Sequence, residues 1–143
     1  MGQVPIVQGK HQVGKLRAMY DFFPAHELAC KCGCGRGEAD MDAVFMDWLI
    51  ALRRAYNQPM PLSSAFRCPA HNVRVSGTGP DGPHTTGRAV DVRVSGKRAY
   101  ELLSLALVMG FRGIGLNQRG DHARRFIHLD DLDLFNRPWV WTY

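Results

Sequence analysis

Two short segments alternate with the same parity, and that parity restricts the fold more than any other feature of the chain. In Ala89 to Val94, Val90, Val92 and Val94 fall on one side of an extended strand, and Asp91 and Arg93 on the other. In Arg125 to Asp130, Ile127 and Leu129 point one way, and His128 and Asp130 the other. Each strand should therefore bury an aliphatic face and turn its polar side chains to an exposed site on the opposite face. Between and around these strands lie helical patterns. Met41, Val44, Phe45, Trp48, Leu49 and Leu52 are spaced for one face of a helix over about 41–56, with Asp40 as N-cap and Asn57 and Pro59 at its end. A second, Leu-rich helix is expected over about 97–109, with Gly110 as its stop. Residues 61–67 and 111–116 read as further short strands, 21–40 as loop, and 69–87 as a turn-rich stretch punctuated by Gly77, Gly79, Pro80, Gly82 and Pro83. Short strands interleaved with two helices indicate an α+β domain with its helices on one face of a small sheet.

At 143 residues the chain suits one domain with a real core. We divide it into an N-terminal arm, 1–20, and a domain, 21–143. No apolar run is long enough to cross a bilayer, and Met1 to Leu16 shows no h-region of a secretory signal. A protein of this kind acting outside the cytoplasm would be released by other means or carried on a larger particle. The net charge of +5 suits an anionic polymer. The basic residues are scattered, with pairs at Arg53-Arg54 and Arg124-Arg125, and no nucleic-acid-binding signature accompanies them. Specific nucleic-acid binding is therefore not expected.

His84 precedes Asp91 by seven positions, across a loop that includes Gly87, and His128 stands on another strand with the facing of Asp91. Two imidazoles and one carboxylate are the donor set of a catalytic Zn²⁺, with a fourth position left for water. Neutral imidazole and carboxylate both suit that ion.

Four ordered motifs, Ser64-Ala65-Phe66-Arg67-Cys68-Pro69-Ala70-His71-Asn72, His84-Thr85-Thr86-Gly87-Arg88-Ala89-Val90-Asp91, Gly113-Ile114-Gly115-Leu116 and Phe126-Ile127-His128-Leu129-Asp130, resemble the zinc D-Ala-D-Ala carboxypeptidase family. That family includes phage peptidoglycan endopeptidases and shares a fold with the Hedgehog signalling domain. The segment Glu27 to Gly35 is similar to the opening of the catalytic domain in one branch. The resemblance runs from about residue 20 to the C-terminus. It implies a small, mostly antiparallel sheet, a zinc peptidase acting on the peptide of bacterial peptidoglycan, and a source as a phage lysin or virion-associated wall hydrolase. It also implies that His84, Asp91 and His128 hold zinc and that Arg67 holds a substrate carboxylate, for which a guanidinium fork is well matched. A monomer is the expectation for so small a hydrolase. The competing class is a non-catalytic, metal-stabilised wall-binding or virion structural module.

The chain departs from the family pattern at two places. Gly82 stands where many members have serine, and Arg125 where several have an acid three positions before the last histidine. The general base is then sought first at Asp130, which shares the facing of His128, and second at Asp121. Asp130 would alternatively orient a ligand from behind it. His122 is either an oxyanion donor or a loop histidine. Cys30, Cys32, Cys34 and Cys68 leave three readings open: a structural zinc site, a disulfide from the cluster to Cys68, or free buried thiols.

Overall fold

The computed structural model describes residues 19–143. The arm expected over 1–20 lies outside the described residues except for its last two positions.

Helix α2 (Ala43–Tyr56) begins where Asp42 accepts a hydrogen bond from the Phe45 N–H at 2.8 Å. Asp40, expected as the cap, is occupied one turn earlier. Its carboxylate accepts from the Gly37 N–H and from Arg36 and so closes the 3₁₀ turn Glu38–Asp40. The buried face of α2 is also rotated from the expected one. Phe45, Leu49 and Leu52 are inside, joined by Met46, Ile50 and Tyr56, whereas Val44 and Trp48 are 72% and 44% exposed. Helix α4 (Gly96–Val108) buries Ala99, Leu102 and Ala106, and Gly110 ends it with a left-handed φ of 82°. The short α1 (Ala25–Leu28) seats Leu28 in the core, and Glu27 accepts from the Leu62 N–H at 3.1 Å.

Five strands, β1 (Leu62–Ser64), β2 (Ala89–Arg93), β3 (Gly113–Asn117), β4 (Phe126–Asp130) and β5 (Trp139–Thr142), form one sheet in the order β1-β2-β4-β3-β5. All neighbours are antiparallel except β3 and β5, which are parallel. The mostly antiparallel α+β architecture follows the sequence expectation. Val90, Val92, Ile114, Ile127 and Leu129 join Phe45, Leu49 and Leu102 in a single core, so α2 and α4 cover the aliphatic face.

Three elements exceed the sequence reading, the first being α1, which lies in the 21–40 stretch read as loop. Helix α3 (Pro69–Val75) occupies the start of the turn-rich stretch, with Cys68 Sγ accepting from the His71 N–H and Pro69 at the first helical position, where its missing N–H costs nothing. Strand β5 comes from a tail that drew no reading. Its Trp-Val-Trp-Thr composition suits a strand, but four residues give too short a pattern to register.

Cross-strand register sets the second face. Ser64, Asp91, His128, Gly115 and Trp141 form one row across the five strands. The next row in the same facing carries Ala89, Asp130, Gly113 and Trp139. The two glycines of β3 explain the Gly-Ile-Gly-Leu motif. A Cβ on Gly115 would enter the indole of Trp141, and one on Gly113 would overlap the Asp130 carboxylate. Because Asp130 is fully buried, it has nowhere to move. Gly113→Ala should therefore cost about 1–3 kcal/mol by overpacking, read as a lowered midpoint in urea with an unchanged slope. A midpoint equal to wild type would mean that β3 gives way freely.

Candidate metal centre

The polar face is not open to solvent, as the strand parity had suggested. His84, Asp91 and His128 are 4%, 5% and 2% exposed. The cause is β5, whose Trp141 ring lies 4.9 Å from the His128 ring, together with Arg67 from the other side. Their donors instead meet at the floor of a cleft of about 480 Å³, whose walls include Arg67, Phe126, Trp139, Trp141 and Tyr143.

Each candidate ligand is held by a separate local device. His84 lies in the 3₁₀ turn Pro83–Thr86, and Gly87 ends that turn at φ 72°. A Cβ on Gly87 would strike the Asp40 carbonyl, and the Gly87 carbonyl accepts from the Asp42 N–H, so the loop is pinned to the start of α2. His84 Nδ1–H donates to the Ala65 carbonyl at 2.7 Å, which leaves Nε2 bare. His128 Nε2–H donates to Asp130 Oδ2 at 2.7 Å, which leaves Nδ1 bare. Both bare nitrogens face Asp91 Oδ1, at 3.2 and 3.1 Å.

Three acceptors aimed at one point are a suitable seat for a cation. Zn–N and Zn–O bonds of about 2.0–2.1 Å in a tetrahedron separate the ligand atoms by about 3.3 Å, so the observed spacing fits zinc. The electrostatics agree. Burial would raise the Asp91 pKa, but His84 and His128 outweigh it and hold the group well below the usual carboxylate range. Burial lowers the His84 pKa and keeps that ring neutral. Burial also opposes charge on His128, but the Asp130 and Asp91 carboxylates beside its two nitrogens prevail and raise its pKa, so a metal ion at Nδ1 would take the place of a proton there.

Asp130 is where the expectation of a general base meets contrary geometry. Its carboxylate is fully buried and accepts from His128, from the Leu132 N–H, and from Arg137 at 2.9 and 2.7 Å. Burial alone would raise its pKa, but Arg137 and His128 bring it down to about 2. No oxygen is left for a water in the cleft, so the geometry matches the alternative, a carboxylate orienting its histidine. Asp121 does not line the cleft. It caps the 3₁₀ turn His122–Arg124 by accepting from the Ala123 N–H, and His122 borders a different depression beside Pro59 and Arg98. Arg125 points away from the metal site and binds the Gly120 carbonyl.

Arg67 stands beside the triad. Its Nε donates to Ser64 Oγ, Nη1 to Asn72 Oδ1, and Nη2 to Asp91 Oδ2 at 3.4 Å. This wiring accounts for Ser64 and Asn72 in the first motif. Three of its five donors are used, and the rest are available to a ligand. At Gly82 a Cβ would collide with Thr78 Oγ1 and Asn72 Nδ2, so the hydroxyl of Thr78, which borders the cleft, fills the place of the missing serine. The sequence reading missed Arg137, Trp139, Trp141 and Tyr143. The available signal was an arginine followed by three aromatics within seven residues of the C-terminus.

Paired imidazoles and a carboxylate, backed by a buried Asp–Arg pair on an α+β sheet, define a zinc-type metallohydrolase. The family model for Peptidase M15 matches residues 21–130. The chain belongs to that family, the zinc D-Ala-D-Ala carboxypeptidases, and is a zinc-dependent metallopeptidase. No curated protein matches it. The match ends at Asp130, so Arg137 and the aromatic β5 lie beyond it.

Proposed function

We propose that this chain hydrolyses an amide bond in the peptide stem or crosslink of bacterial peptidoglycan, as a phage lysin or virion-associated wall hydrolase working as a monomer. The observation that carries the reading is the position of Arg67, whose guanidinium contacts the same carboxylate that faces both imidazoles. A substrate carboxylate held there sits about one residue from the metal. Both a terminal D-Ala–D-Ala bond and a crosslink from D-Ala to the D-centre of diaminopimelate carry a carboxylate on the carbon next to the leaving amine. Arg67 therefore serves either a carboxypeptidase or an endopeptidase. The net charge of +5 favours approach to an anionic wall.

Zinc, when bound by His84, Asp91 and His128, would acidify a water and polarise the scissile carbonyl. The chain's own residues do the rest. Arg67 fixes the leaving side of the substrate. Trp139 and Trp141 wall the cleft. Burial pushes Tyr143 up to about 12, so it stays a phenol at neutral pH and offers a proton donor to the cleft.

The second reading is a non-catalytic wall-binding or virion structural module. It draws on one observation: among the described residues, Asp91 is the sole carboxylate lining the cleft. Sacculi embedded in a gel separate the two. The enzyme clears them, loses this with EDTA, and regains it with added zinc. Arg67→Ala should weaken clearing at least tenfold, the loss expected for one charge-assisted bidentate contact of about 1.5–3 kcal/mol. Binding to sacculi by zinc-loaded protein with no clearing and no released peptide would establish the module instead. Mass spectrometry of the released muropeptides assigns the bond.

A further inference from the structure

We propose that Cys30, Cys32, Cys34 and Cys68 bind a second zinc ion, structural and separate from the catalytic one. Their four sulfur atoms lie within 4.8 Å of one another. Cys30 and Cys32 Sγ are 3.4 Å apart, and Cys32 and Cys68 Sγ 3.6 Å. Tetrahedral Zn–S bonds of about 2.3 Å separate sulfurs by about 3.8 Å, whereas a disulfide needs about 2.05 Å. All four cysteines are free. A single disulfide would also use two of these sulfurs and strand the other two, but here all four converge.

The local chain is shaped for this convergence. Three thiols alternate over five residues, a spacing tighter than the usual C-x2-C knuckle. They face one point because Gly33 and Gly35 take left-handed φ values of 80° and 83°. The Cys30 N–H donates to the Arg36 carbonyl at 2.8 Å and closes the loop at its base. The fourth thiol arrives from the start of α3. Two backbone N–H groups donate to sulfur, Cys68 N–H to Cys30 Sγ at 3.3 Å and His71 N–H to Cys68 Sγ at 3.4 Å. Such bonds favour thiolate, the form that binds metal. Cys30 and Cys68 are buried and Cys32 and Cys34 are exposed, so the ion would sit at the surface with a route for loading.

The position explains what the ion does. The 29–37 loop carries no helix or strand and so needs another tether. Cys68 follows Arg67 directly, so an ion there clamps the loop to the residue next to the arginine that borders the catalytic centre.

Zinc counting by plasma mass spectrometry, on full-length protein purified under reducing conditions, tests this. Wild type should carry two zinc ions per chain. Cys34→Ser, at an exposed position, should carry one, and His84→Ala should carry one. Cobalt-loaded His84→Ala should keep a thiolate-to-cobalt charge-transfer band, and Cys34→Ser should lose it. As a check that needs no variant, titrating wild type with a mercurial should release one zinc in step with its four thiols. A single zinc in wild type that His84→Ala abolishes, no charge-transfer band in His84→Ala, or a native disulfide in the intact mass would overturn the proposal. Because the two sites are counted separately, failure of the thiol site leaves the peptidase reading standing, and the reverse also holds.

Discussion

His128→Ala is expected to lose the catalytic zinc and to bring peptide hydrolysis below detection, while any zinc held by the thiols stays. His128 turns one ring nitrogen toward Asp91, where a metal would bind, and anchors the other on Asp130. Alanine removes both and leaves two carboxylates facing a void. His84 and Asp91 alone are two ligands where catalytic zinc sites use three. The affinity lost is far more than the roughly 10–100-fold that follows disturbance of an outer partner. Metal analysis and muropeptide release should fall together. If hydrolysis continues with zinc reduced, the triad is not the reaction centre. Acid should mimic the variant in wild type, because protons compete with zinc for both imidazoles and for Asp91. Metal retention should fail as pH drops, and it should return when the pH is restored.

The parity of two strands carried most of what the sequence could reveal about this site. Alternation places Asp91 and His128 on one face whatever the surrounding sheet looks like, and antiparallel pairing then makes them direct neighbours. His84 was harder to place by physics, since loop geometry depends on contacts such as Gly87 against Asp40, which topology and not sequence pattern brings together. The family motifs supplied that link. Burial was misjudged for a definite reason. Alternation separates two faces but does not say what covers the polar one, and the cover here is β5, a four-residue strand with no usable periodicity. The same gap led to Asp130 as a base. Facing alone made it look available, and only Arg137, distant from any motif, shows that its oxygens are taken. Helix α3 was legible in principle from Pro69 after a polar residue, but the glycines and prolines downstream dominated the segment.

Asp130→Ala should be the most destabilising single change outside the hydrophobic core. Arg137 has a side chain only 4% exposed and makes two hydrogen bonds to Asp130. Removing the carboxylate leaves a buried cation with no countercharge, a class of change that costs about 3–5 kcal/mol. For a domain of this size that is a fall in Tm of about 10–17 °C. Removing both partners should cost less than the sum of the single changes, since Arg137→Ala in the same background deletes the orphaned charge. Thermal unfolding of the two single variants and the double variant gives the coupling. Additive losses would show that the pair is not a unit. The Asn variant tests the other role. It keeps the shape and can still accept from His128 Nε2–H, so zinc binding should recover most of what alanine loses, while stability recovers only in part. The pH dependence follows from the depressed Asp130 pKa of about 2. Its contribution is complete above the unfolded carboxylate value of about 3.9, and it is lost as pH falls toward 2, where the native group takes up its proton. Wild type should therefore exceed Asp130→Asn by a constant margin near neutrality, and that margin should close through this acid window. A margin unchanged down to the lower end would mean that the carboxylate's charge contributes nothing, and that Arg137 is held by packing against Trp141 instead.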